Sequence, residues 1–503
     1  MLLHFAYDSF RCPSSELKPS KKQNTNVICF LLGFFISQKG GINMTLQEAV
    51  ELQKEPLLKS LQESIRIRSV EDTPAEDAPY GKGVRECLDH ALKTAEALGF
   101  ATVDLDHQMG WCEYGEGEEM VAVLGHLDVV PEGEGWSFDP FGGEIQDGKV
   151  FGRGSMDDKG PTIAALYALA ALRDSGLPLK RRIRILFGTN EETGSNDMKY
   201  YKSHGGEFPV MGFTPDGEYP VINGEKGIIN VDFKADYTQN GPVILTGISG
   251  GDAPNVVPAS AEAELCCPAE LAAELMNKLN AEVSDAITCT ATEQGIRIAA
   301  AGVSAHGASP ELGVNAIGLL LAALDKLPLS EPLAAQIHFL SEKIGLETDG
   351  TRLGIALSDE PSGQLSFNLG TIHGDETTFA IRINYRYPVT KAYGDCAPLL
   401  NQTFAEAGFT QTKETHKACL YLSEDSELVQ TLLRVYAEQT GLPAIPKSIG
   451  GGTYAKAIPN VVAFGPIFPG DEVREHKPDE FIEVDKLMKN AHILAEALYQ
   501  LAK

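Results

Sequence analysis

Five short segments of this 503-residue chain carry imidazole or carboxyl groups: His126 with Asp128, Asp157 with Asp158, Glu191 with Glu192, Asp216, and His476. Imidazole and carboxylate together are the donor set that zinc and similar divalent ions take. Two histidines with three or four carboxylates can hold two such ions sharing one carboxylate. Taken singly, each segment also has a plain structural reading. A loop histidine is usually a surface residue, Asp-Asp and Glu-Glu pairs are usually solvated faces, and Pro215-Asp216-Gly217 is an ordinary turn signature. What joins the five is that all fall at the ends of predicted α/β elements.

The elements that must position them follow from hydrophobic periodicity. Met120 to Leu124 is an apolar, Val-rich run that suits a buried strand, and it ends in Gly125-His126-Leu127-Asp128. Residues two apart on a strand share a face, so His126 and Asp128 emerge side by side at the carboxyl end, where ligands bind in open α/β sheets. Val150-Phe151 and the turn Gly152-Arg153-Gly154 lead to Asp157-Asp158. Pro161 to Leu172 is apolar nearly all round and predicts a buried helix with Pro161 in its first turn. Arg182 to Phe187 alternates as a strand does and ends at Glu191-Glu192, and Phe213 to Tyr219 follows with Asp216. This rhythm predicts α/β architecture with a mostly parallel central sheet. Upstream, Thr45 and Glu48 form a capping box, Pro56 is expected to kink or restart the first helix, and Gly83 to Leu98 reads as a helix stopped by Gly99. After about Gly227, alternating runs (Ile229 to Ala235, Gly295 to Ala301, Thr377 to Tyr385) bracket helical runs (Pro268 to Leu279, Asn315 to Leu324). They predict an α+β insertion reaching about Leu420, long enough for two small sandwiches. Ser426 to Gly441 is then a helix ended by glycine.

Composition bounds the function. Hydrophobic content is 43% and net charge −28, which argues against general nucleic-acid or anionic-membrane binding. The nine cysteines show no CxxC pattern, so disulfide-scaffold and cysteine-zinc readings fail, and free thiols fit a reducing cytosol. Within the first 43 residues, Val27 to Ile36 is apolar but shorter than the roughly 20 residues of a spanning helix. A signal peptide is one reading of it. The reading preferred here is that Lys39-Gly40-Gly41 is a translated ribosome-binding sequence, with Met44 as the true start and 1–43 a non-native leader.

The motifs as a set resemble the M20 metallopeptidase family, specifically its PepV-type dipeptidases. The resemblance runs from about Thr45 to the C-terminus. Its motifs here are Gly125-His-Leu-Asp-Val-Val-Pro131, Phe151-Gly-Arg-Gly-Ser-Met-Asp-Asp-Lys-Gly-Pro161, Gly188-Thr-Asn-Glu-Glu-Thr193, the run from Pro215-Asp216 to Glu225-Lys226-Gly227, and Glu475-His-Lys-Pro-Asp-Glu480. The resemblance implies a zinc-peptidase-like catalytic domain (44–226 and 421–503) split by an inserted α+β lid (227–420) of two ferredoxin-like halves. It implies that His126, Asp157 and Asp216 hold one metal and that Asp157, Glu192 and His476 hold the other. Asp128 would clamp the His126 ring, Glu191 would be the general base, and the Asp157–Asp158 peptide would be cis. On the substrate side it implies His306 as oxyanion donor, Arg386 on the terminal carboxylate, Asn255 as a contact, and close backbone approach at Gly452 and Thr453.

The expected protein is therefore a cytoplasmic, monomeric dipeptidase using two divalent ions, zinc by donor type with manganese or cobalt acceptable. Its substrate would be a small unblocked dipeptide. Two alternatives share the sequence features: an M20 amidohydrolase removing an acyl group from an amino acid or a succinyl-diamino acid, and a non-catalytic binding protein on the same fold.

Overall fold

The computed structural model describes residues 44–282 and 285–503; the expected 1–43 leader lies outside the described residues. The first helical stretch is in two pieces, Leu46–Leu52 and Lys54–Ile65, with Pro56 in the first turn of the second, where its missing N–H is harmless. Lys82–Ala97 follows and stops before Gly99, whose φ is +87°.

Two sheets organise the rest. The first has the strand order Ala101–Leu105, Met109–Tyr114, Arg182–Gly188, Met120–His126, Met211–Thr214, Val461–Ala463, Ile222–Glu225, Leu420–Tyr421, with Lys447–Ile449 also against Ile222–Glu225. The four central strands, Arg182–Gly188 to Val461–Ala463, are parallel. The flanking strands pair antiparallel, except Lys447–Ile449, which runs parallel to Ile222–Glu225. The sheet is thus mixed around a parallel centre, because flanking strands added by hairpins and late chain returns need no crossover helix.

Every residue of Met120–His126 is buried because both faces are covered. On one face lies Lys159–Ser175, buried from Lys159 to Leu172 beneath Leu46–Leu52, Lys54–Ile65 and Val484–Ala502. That position explains a helix apolar on all sides. On the other face Met120, Ala122 and Leu124 meet Met198, Tyr201 and Tyr454. Gly125 is a close approach: a Cβ there would stand 1.9 Å from Thr162 Oγ1.

The second sheet is eight-stranded and antiparallel throughout: Ile287–Ala291, Gly295–Ala301, Ser260–Cys266, Ile244–Gly250, Ser366–Gly374, Thr378–Tyr387, Gly227–Asp236, Thr410–Lys417. Its two four-stranded halves are not separate sandwiches. Ile248 to Gly250 pair with Ile372 to Gly374, and the ladder runs straight through. One face buries Ile229, Val231, Phe233, Ile381 and Ile383 against Leu275, Leu320, Ile337 and Phe404 of the lid helices. The other face turns Asn230, Asn384, Arg386 and Lys417 toward the first sheet's domain across a cleft. The chain crosses between the sheets twice, from Ile222–Glu225 into Gly227–Asp236 and from Thr410–Lys417 into Leu420–Tyr421. The two crossings pair with each other on both sides. No helix among the described residues is long and apolar enough to cross a membrane.

Gly125→Ala is expected to lower stability by about 1–3 kcal/mol through overpacking. The readout is a lower urea midpoint at unchanged slope; an unmoved midpoint would show that the Thr162 helix yields.

Candidate metal centre

His126 ends its strand and is 1% exposed. Its Nδ1 lies 2.9 Å from the Asp128 carbonyl oxygen. A carbonyl can only accept, so Nδ1 carries a proton, which leaves Nε2 as the nitrogen that could take a cation. Nε2 faces Asp157 Oδ1 at 3.0 Å and Asp216 Oδ2 at 3.9 Å. The other Asp157 oxygen is 3.0 Å from His476 Nε2, which is 3.3 Å from Glu192 Oε1. Two groups result, His126/Asp157/Asp216 and Asp157/Glu192/His476, each with its donor atoms within 4.8 Å of one another. Asp157 belongs to both, and its peptide bond to Asp158 is cis.

These residues fit divalent cations. Burial, then the charge of Asp157, pushes the Asp216 carboxyl well above its usual range, and the same two causes raise Glu192. Glu192 Oε1 is buried and accepts no hydrogen bond among the described residues. Carboxylates from three segments turned to one point repel until positive charge stands among them. The pKa of His476, whose Nε2 stands 3.0 Å from Asp157 and 3.3 Å from Glu192, is pushed up to about 11, foremost by Asp157 and then by Glu192. Glu191 lies beside the group, half-buried, its carboxyl pushed up to about 8, foremost by burial.

The loops that carry these donors are held by carboxylates. Where the resemblance implies that Asp128 clamps the His126 ring, the short ring contact goes to its carbonyl, and its Oδ1 is 3.5 Å from Nδ1. The carboxylate accepts instead from Glu191 N at 3.2 Å and Glu192 N at 3.1 Å. Two further anchors escape the sequence reading. Glu480, fully buried, accepts through Oε1 from Gly154 N, Met156 N and Asp157 N at 2.9–3.2 Å. Its Oε2 takes Arg153 Nη1 at 2.6 Å. Arg153 also reaches Pro131 O, Glu132 O and Lys477 O. The available signal was a charged residue inside Gly-Arg-Gly and a glutamate closing the His476 motif. Asp197 accepts from Thr189 N at 2.7 Å, Asn190 N at 3.2 Å and the Tyr454 hydroxyl at 2.5 Å. At a helix start it reads as an ordinary first-turn acid, so no signal marked it.

The residues expected on the substrate side lie on the lid and its opposing loop. Arg386 is 3% exposed, unlike an ordinary strand arginine. It donates from Nε to Asn384 Oδ1 at 3.1 Å and from Nη1 to Gly450 O at 2.7 Å, with Nη2 3.5 Å from His306 Nε2. Part of its five-donor fork stays free. His306 sits opposite Val256 in a bridge. Its pKa is lowered, foremost by burial and then by the charges of Arg386 and His476. Asn255, Arg386, Gly452 and Thr453 line a cleft of about 650 Å³. Thr453 is fixed by N and Oγ1 donating to Glu225 at 3.1 and 2.8 Å.

Glu480→Ala leaves Arg153 buried and unpaired, which is expected to cost about 3–5 kcal/mol in denaturant unfolding. It should weaken divalent-metal binding about 10–100-fold in a chelator-competition titration. Unchanged metal affinity would show that the Asp157 loop holds itself.

Residues 122–500 match the model of Peptidase family M20/M25/M40. "Putative dipeptidase YtjP" of Bacillus subtilis strain 168 is 38% identical over 475 residues, covering 92% of this chain and 100% of that protein. "Beta-Ala-Xaa dipeptidase" of Lactobacillus delbrueckii subsp. lactis is 34% identical over 479 residues, covering 92% and 99%. Among solved structures, aminoacylhistidine dipeptidase from Vibrio alginolyticus aligns with a TM-score of 0.56 at 16% identity, over 89% of this chain and 96% of that one, a likeness of fold. The family match takes in both candidate metal groups, and with relatives alike over nearly their whole length the chain belongs to Peptidase family M20/M25/M40, as a metallopeptidase.

Proposed function

We propose that the protein is a dinuclear metal-dependent dipeptidase that hydrolyses small unblocked dipeptides. The observation that carries this reading is Asp157, one carboxylate set between two imidazoles, with Glu191 beside it. His126, Asp157 and Asp216 would hold one ion, and Asp157, Glu192 and His476 the other. Zinc suits these donors, and manganese or cobalt takes the same set. When bound, the ions supply Lewis-acid polarisation of a water and of the scissile carbonyl.

The chain's own groups do the rest. Glu191 takes a proton from the attacking water and returns it to the leaving amine. Its backbone position is set by Asp128. His306 donates to the oxygen that becomes negative at the carbonyl. The free part of the Arg386 fork takes the substrate's terminal carboxylate, flanked by Asn255, Gly452 and Thr453. A carboxylate read by the lid and an amide set at the ligand cluster leave room for only a short peptide. The seven cysteines among the described residues are all unpaired, which supports a reducing, cytoplasmic location. A lid whose two halves share one sheet supports a monomer.

The test is hydrolysis of free dipeptides, β-alanyl ones included because of the Lactobacillus relative's name, against N-acylated and C-amidated versions on metal-loaded protein. Free dipeptides alone should be cut, and Glu191→Ala should lose about 10²–10⁴-fold in kcat while still binding metal. Faster cleavage of N-acyl compounds would move the protein to the amidohydrolases. Metal binding without any cleavage would favour a binding protein. Static light scattering should give the mass of one chain; twice that at micromolar concentration would contradict the monomer.

A further inference from the structure

Charge is unevenly distributed around the cleft between the two sheets. The chain has 70 acidic and 42 basic residues. The cleft of about 650 Å³ is nevertheless lined by Lys199, Lys202, Arg386, Lys417 and Lys456, and by no aspartate or glutamate. The cations come from opposing walls. Lys199 and Lys202 lie on the helix Asn196–Ser203, Arg386 and Lys417 on lid strands, and Lys456 on the turn Tyr454–Ala457. None of the five is ion-paired with a carboxylate among the described residues, whereas Arg182 and Arg184 each bridge Glu113 and Glu207. Lys199 donates to Gly194 O and Asn196 Oδ1 at 3.0 and 2.9 Å, and Lys456 donates to Lys226 O. Glu225, the acid that acts on Lys456, is itself buried and occupied by Thr453. Burial pushes Lys456 down to about 8; Glu225 opposes this, while Lys417 and Arg386 add to it. Unanswered like charges between low-dielectric walls create a focused positive potential.

We propose that this cleft is a subsite for an acidic side chain on the substrate's carboxy-terminal residue, so that Xaa-Glu and Xaa-Asp are preferred dipeptides. The inference rests on the dipeptidase reading, in which Arg386 takes the α-carboxylate. The side-chain carboxylate, a few bonds further on, then meets Lys456 and Lys417. The isosteric glutamine peptide fills the same space without the charge.

The experiment compares kcat/KM for Ala-Glu, Ala-Gln, Ala-Ala and Ala-Lys on metal-loaded wild type, Lys417→Gln and Lys202→Gln. Both substituted lysines are exposed, which keeps the fold out of the result. Wild type should favour Ala-Glu over Ala-Gln about tenfold at low ionic strength, and the advantage should shrink in about 0.5 M salt. Lys417→Gln should lose most of it through KM and Lys202→Gln, further along the cleft, a smaller part, while both cleave Ala-Ala as before. Equal cleavage of Ala-Glu and Ala-Gln, with Ala-Ala turned over normally, overturns the subsite and leaves the dipeptidase standing. Failure to cut any of the four overturns the dipeptidase reading, and the subsite with it. Equal cleavage accompanied by Lys417-dependent thermal stabilisation with inorganic phosphate assigns the cleft to a free anion instead, and also overturns the proposal.

Discussion

A buried ion pair that touches no substrate sets the geometry of this protein. Arg153 and Glu480 are almost wholly out of water, which is tolerable only if most of their donors and acceptors are answered; among these, only Arg153 Nε has no partner among the described residues. The answers come from backbone in three ligand-bearing segments. Pro131 and Glu132 follow His126 and Asp128, residues 154 to 157 end at Asp157, and Lys477 adjoins His476. Loops lack ladder partners for their N–H groups, and a carboxylate accepts several at once. Asp128 and Asp197 repeat the device for the segment that carries Glu191 and Glu192.

The parts of this arrangement that were legible in the sequence are those written within a few residues. His126 and Asp128 stand at the end of an apolar run. Pro56 marks the restart of a helix, and Gly441 and Ser426 bound another. The donor groups themselves sit in short motifs, so each could be named before its neighbours in space were known. What was not legible lies in partnerships between distant residues. Arg153 and Glu480 are 327 positions apart. The antiparallel flanks of the central sheet include Leu420–Tyr421 and the single residue pair Ala463 with Ile222, too short to carry a period. The join at Ile248 to Gly250 is an edge meeting an edge, which alternation within either strand does not announce. The positive lining of the cleft is likewise invisible along the chain, because its cations are scattered from Lys199 to Lys456.

The same separation explains how one surface can differ so much from the rest. A strongly acidic exterior keeps the chain soluble by repulsion, yet the wall around Arg386 is assembled from four segments whose acids point elsewhere. Arg386 is carried by the second sheet and the candidate metal donors by the first sheet's domain, and a hydrogen bond from Arg386 to Gly450 O links the two.

The double crossing between the sheets has a mechanical meaning. Two hydrogen-bonded strands passing side by side form a ribbon. Sliding along its length would break ladder bonds in both sheets, whereas flexing across its width breaks none. Gly227, where a Cβ would stand 2.0 Å from the Tyr387 ring, packs that ribbon tightly on the lid side. A lid whose ladder continues over eight strands would therefore move as one plate, and any swing that flexes the ribbon would carry Arg386 and His306 together.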